Sequence, residues 1–129
     1  MAVIQVCLLA LLALPQTAPA TKVDPREHLP TAISEGIRLL EAKEYLAFLK
    51  VFVPPEELAQ RERREDIAAF AEKFGQKAPL LLVALKEAQQ GKPVMQKEGT
   101  VASFELTARE GGPKTLRFEK IGKYWYIAN

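Results

Sequence analysis

The spacing of apolar residues changes once along this chain. Between Thr31 and Gln90 they recur every three or four positions, and from Val94 they alternate with polar ones. The first period predicts helices with one buried stripe, the second strands with one buried face. Ile33, Ile37 and Leu40 make the first stripe, behind a cap at Thr31; Tyr45, Leu46, Leu49 and Phe52 make the second. The phase slips at Lys43-Glu44, so two short helices with a bend between them are expected. Pro54-Pro55 stops the second, because proline lacks a donor and clashes with the preceding turn. Pro55-Glu56-Glu57 can open another turn, with its acids at the positive end of the helix dipole. Ile67, Phe70, Ala71 and Phe74 form a third stripe, which Gly75 is expected to close. A last helix is expected to start at Pro79, bury Leu81, Leu82 and Leu85, and end at Gly91 and Pro93. Leu80 to Val83 is apolar all round, so that stretch is enclosed or turns its extra face to a ligand or partner.

Val94 to Lys97 reads as a short strand, Glu98-Gly99 as a turn and Thr100 to Ala108 as a longer strand. Glu110-Gly111-Gly112-Pro113 is a loop, and KTLRFEKIGKYWYIAN, from Lys114 to Asn129, is a hairpin. A Gly122-Lys123 loop suits a type II′ turn, which takes glycine first. Phe104, Leu106, Leu116, Phe118, Trp125 and Ile127 share the face turned to the core, with Lys120 as its one ionisable group. The other face carries Val101, Ser103, Glu105, Thr107, Thr115, Arg117, Glu119, Ile121, Tyr124 and Tyr126. Helices over 31–90 followed by antiparallel strands over 94–128 predict one α+β domain over 31–129. Its N-terminal helices should pack on one face of a C-terminal meander sheet. The length of 129 residues suits one domain with a core of its own.

The N-terminus stands apart from this pattern. Val3 to Leu14 is an apolar run too short to cross about 30 Å of hydrocarbon. Pro15 follows, and Ala18-Pro19-Ala20 offers small residues where a signal peptidase reads them. Residues 1–20 therefore read as a signal peptide cleaved between Ala20 and Thr21, leaving no stable membrane span. Cys7 is not placed for lipidation, since Val6 is not small and only a few residues precede it. It is the chain's single cysteine. Once it is gone the fold is held by packing alone, which fits a secreted or periplasmic protein of a bacterial envelope. Residues 21–30 read as a leader. Asp24, Pro25 and Glu27 can start one turn there, which Pro30 interrupts.

A net charge of +2 with interspersed signs offers no basic field for nucleic acid. The run Arg61 to Asp66, RERRED, cancels its own charge and reads as a solvated helix face. His28 is the only histidine. With no ligand or acid–base partner near it in sequence, it reads as a surface residue. No nucleophile–base pair, metal cluster or phosphate-cradling loop is found, so neither catalytic residues nor a cofactor or metal is expected. On the outer sheet face, Tyr124 and Tyr126 beside Arg117 and Glu105 are residue types enriched at interfaces, and they are the candidate partner-binding set. The plainer alternative is a half-solvated sheet in which Glu105 and Arg117 pair across strands.

The aromatic-rich helical segment EYLAFLKVFVPPEEL, followed by a meander ending in Phe118, Lys120, Gly122, Lys123, Trp125, Tyr126 and Ile127, resembles small secreted domains. The family resembled is the nuclear-transport-factor-two-like, cystatin-like cone superfamily. That resemblance implies either an exported binding or accessory domain without activity, or an isomerase-, dehydratase- or hydrolase-like enzyme. The enzymes would use Asp, His or Tyr inside the cone, where this sequence puts only Lys120. The expectation is a non-catalytic exported domain that binds a protein or small ligand or serves an envelope complex. A cone enzyme and a module that self-associates as a homodimer through the outer sheet face are the alternatives.

Overall fold

The computed structural model describes residues 23–107 and 110–128. The expected signal peptide with its Ala20–Thr21 cleavage site, and Cys7, lie outside the described residues. A 3-10 turn at Pro25–Glu27 leads into helices α1 (Leu29–Glu41), α2 (Tyr45–Phe52), α3 (Pro55–Arg64) and α4 (Ile67–Gln90). Strands β1 (Val94–Gln96), β2 (Val101–Glu105), β3 (Thr115–Ile121) and β4 (Tyr124–Ile127) follow. They pair antiparallel in the order β1-β2-β3-β4, and the helices pack on one face. The architecture is α+β, as the change of period predicts.

Local chemistry explains most of the boundaries. Asp24 accepts from the Arg26 amide at 2.9 Å and so caps the 3-10 turn. Helix α1 starts earlier than expected, at Leu29, with Pro30 inside its first turn. Proline is tolerated there because the amide it lacks would have no helical partner. Thr31 is not the cap; its hydroxyl donates backward to Pro25 O at 2.6 Å and His28 O at 3.0 Å, tying the leader to the helix. The bend falls at Lys43, which adopts φ 59°. Pro54 precedes α3, whose first turn holds Glu56 and Glu57 and whose last holds Arg61, Arg63 and Arg64. Both suit the helix dipole, and α3 buries no residue. Arg61 is not simply solvated, because its guanidinium lies 4.2 Å from the Phe70 ring centroid.

The expected break between Gly75 and Pro79 does not occur: α4 runs unbroken through both residues. A proline inside a helix loses the bond to the carbonyl four residues back and crowds it. Here that carbonyl belongs to Gly75. Packing on both sides holds the helix together, since α1 and α2 both lie along α4. Gly36 allows the approach of α1; a Cβ there would sit 3.3 Å from Leu85 Cδ1.

The hairpin forms as the sequence predicts. Ile121 faces Tyr124 across a Gly122-Lys123 loop, with positive φ at Gly122 (66°) and not at Lys123, as a type II′ turn requires. Ala102, Phe104, Leu116, Phe118 and Trp125 are buried against the helices. Phe52, Phe118, Leu85 and Leu116 are the most enclosed of the large core side chains, and no polar or charged described residue is buried. Strand β4 meets α2, while β3 meets α4.

Candidate functional site

A cleft of about 470 Å³ opens between the start of α1, the end of α4 and the sheet. Leu29, Pro30, Ile33 and Ser34 line it from α1, and Ala88 and Gln89 from α4. Gly91 and Pro93 form the rim and Phe104 of β2 lies at the floor. Each element is brought there for a local reason. Pro30 starts the helix that carries Ile33 inward. Gly91 ends α4, its amide donating to Ala88 O at 3.0 Å, and turns the chain toward Pro93 and β1. Phe104 points inward by strand alternation and meets Phe118 edge to face, with ring centroids 6.0 Å apart.

The lining holds no charged side chain. Its polar groups are the Ser34 hydroxyl and the Gln89 amide, which bond to one another: Gln89 Nε2 donates to Ser34 Oγ at 3.1 Å. The Ser34 hydrogen and the Gln89 carbonyl oxygen remain to serve a guest. Chemically the cleft can desolvate a hydrocarbon or aromatic group and hold one neutral polar end. Clefts of 300–1,000 Å³ with mostly apolar walls and few polar groups are the usual form of small-molecule sites.

The residues singled out in the sequence lie elsewhere. On the outer sheet face Tyr126 is buried, at 7 % exposure, and so is Val101, at 1 %, although neither belongs to the helix–sheet core. Tyr124 is half-buried, with the Arg26 guanidinium 4.0 Å from its ring centroid. Arg117 is half-buried and Glu105 exposed. Glu105 faces Thr115, and Arg117 faces Ser103, so the two expected partners are diagonal neighbours rather than a direct cross-strand pair. Ile121 and Val94 are the large apolar residues exposed on this face.

Lys120 is half-buried, its Nζ 5.9 Å from the Trp125 ring centroid. His28 is exposed, and its carbonyl accepts from the Ala32 amide at 2.9 Å. Among the described residues no group of three or more His, Cys, Asp or Glu could hold a metal, and no helix is long and apolar enough to cross a membrane. Asp24 titrates below the ordinary aspartate value, chiefly because the Arg26 side chain hydrogen-bonds its carboxylate. That clasp has Nε at 3.1 Å and Nη2 at 3.0 Å.

Sequence reasoning misses the cleft. Ser34 and Gln89 are 55 residues apart, and nothing in the spacing of either pairs them. The nearest signal is the Gly91–Pro93 stop together with an inward Phe104. Comparison of the chain with known protein families, curated proteins and solved structures finds no match.

Proposed function

We propose that this is an exported, non-catalytic binding domain that holds a small, uncharged, largely apolar molecule in the cleft above Phe104. The observation that carries this reading is the lining itself: hydrocarbon walls, no charge, and one hydroxyl–amide pair at the rim. The signal-like N-terminus, with its Ala18-Pro19-Ala20 site, supports placing the domain in a bacterial envelope or outside the cell.

The test is a calorimetric titration of the mature protein with decanol and with decanoate. Ser34 is exposed at the rim, so Ser34→Trp fills the mouth without disturbing the core. Binding of decanol by the parent and its loss in the variant support the proposal. Equal or tighter binding of decanoate contradicts the uncharged lining as the selector, and no binding of either contradicts the site.

A further inference from the structure

The polar end of the cleft presents one donor and one acceptor side by side. Ser34 lies in the second turn of α1 and Gln89 in the last turn of α4. Gly36 lets the two helices approach at Leu85. Gln89 follows Leu85 by four residues and so shares its helix face, which brings its amide to Ser34. There Gln89 Nε2 donates to Ser34 Oγ at 3.1 Å. A serine inside a helix can instead donate back to the carbonyl four residues earlier, but Ser34 does not. Among the described residues its hydroxyl donates to no group, and Gln89 Oε1 accepts from none.

The bond already made decides what is left for a guest. One Nε2 hydrogen is engaged by Ser34, so the neighbouring free groups are the Ser34 hydroxyl hydrogen, a donor, and Gln89 Oε1, an acceptor. A primary carboxamide matches both at once. Its oxygen accepts from Ser34 Oγ, and the N–H on the same side as that oxygen donates to Gln89 Oε1. Gln89, Ser34 and the guest then close a ring of three hydrogen bonds. Each group in the ring both donates and accepts, so the bonds polarise one another.

Close chemical relatives fail to complete this ring. In a trans secondary amide the N–H points away from the carbonyl oxygen, and the nitrogen substituent takes the position facing Gln89. That disfavours a peptide main chain as the occupant. An ester or ketone has no N–H and leaves Oε1 without a donor. A carboxylate has only acceptors to offer Oε1 and brings charge into a lining that holds none. An alcohol can serve both groups, but through one oxygen and not two atoms.

We infer, resting on the binding reading of the cleft, that its guest is an aliphatic primary amide. The chain lies against Ile33, Ala88 and Phe104, and the carboxamide closes the ring with Ser34 and Gln89. Both side chains are exposed at the rim, so water competes for them and the selectivity is moderate.

The test is calorimetric titration of the mature protein with decanamide, N-methyldecanamide and methyl decanoate, with decanol as the reference guest. Decanamide is expected to bind about fivefold or more tighter than either of the other two carbonyl compounds, the worth of one net hydrogen bond. In Gln89→Met, which keeps the length of the side chain and removes its amide, the ratio of decanamide to N-methyldecanamide affinity should fall to about one. Equal affinities for the three carbonyl compounds in the parent, with decanol bound, overturn the inference and leave the cleft reading standing. A preference for decanamide that persists in Gln89→Met overturns it too, because the head group would then lie elsewhere. Failure of all four compounds to bind removes the cleft reading and this one with it.

Discussion

The ring of Tyr45 occupies the space that any side chain at position 75 would need. A Cβ built on Gly75 falls 2.6 Å from Tyr45 Cε2 and 2.8 Å from Cδ2, closer than carbon atoms pack. The contact joins the first residue of α2 to the middle of α4, and Phe74 beside it meets the same ring edge-on, with centroids 6.1 Å apart. Gly75 is thus present for close approach and not as a helix stop.

Gly75→Ala should therefore destabilise the domain although alanine is the better helix former. Overpacking typically costs about 1–3 kcal/mol, against about 1 kcal/mol gained in propensity. Combining it with Tyr45→Ala should recover part of the loss, because the clash disappears. Chemical denaturation of the two single variants and the double variant measures this. An additive double mutant would show that the ring and the glycine do not compete for space.

Trp125 is 5 % exposed within the core of the hairpin. Truncating a buried aromatic costs about 3–5 kcal/mol, a large share of the roughly 5–15 kcal/mol that stabilises a domain of this size. Trp125→Ala should lower the thermal midpoint steeply or abolish cooperative melting. A variant that melts like the parent would place the wrong face of β4 inward.

The leader should respond to acid. The carboxyl of Asp24 is held below its ordinary value of 3.8 by the Arg26 side chain. A folded-state pKa depressed in this way contributes stability above the unfolded value and loses it as pH falls through the lowered one. Asp24→Asn should therefore loosen the Arg26–Tyr124 contact at neutral pH. The difference from the parent should vanish below the lowered pKa, where both side chains are uncharged. Amide exchange at Arg26 and Glu27 over a pH series checks this; a difference that persists unchanged into strong acid would mean the clasp is not ionic.

Export makes a simple mass prediction. Protein recovered from an envelope fraction or medium should begin at Thr21, with no cysteine left in it. A species that retains residues 1–20 and stays in the cytoplasm would remove the localisation.

How much of this was legible depends on how local each signal is. The β3–β4 hairpin was readable because turn chemistry at Gly122 and alternation through Phe118 and Trp125 are decided within a few residues. The bend at Lys43 showed as a lost phase. Gly75 and Pro79 misled because a helix in isolation would end there, whereas Tyr45 and the packing of α1 and α2 along α4 keep it whole. Pro30 misled in the same way, since a proline interrupts a helix interior but starts a first turn. The cleft was illegible: Ile33, Gln89 and Phe104 become neighbours only after three elements have packed, and no spacing encodes that.

The binding reading stands or falls on where an apolar guest sits. Isotope-labelled mature protein titrated with decanol gives the answer in one series of amide spectra. Saturable shifts confined to Ile33, Ser34, Ala88, Gln89, Gly91 and Phe104 are predicted, with β3 and β4 unmoved at their outer face. No saturable shift at those residues, or shifts gathered instead around Tyr124 and Ile121, would contradict it.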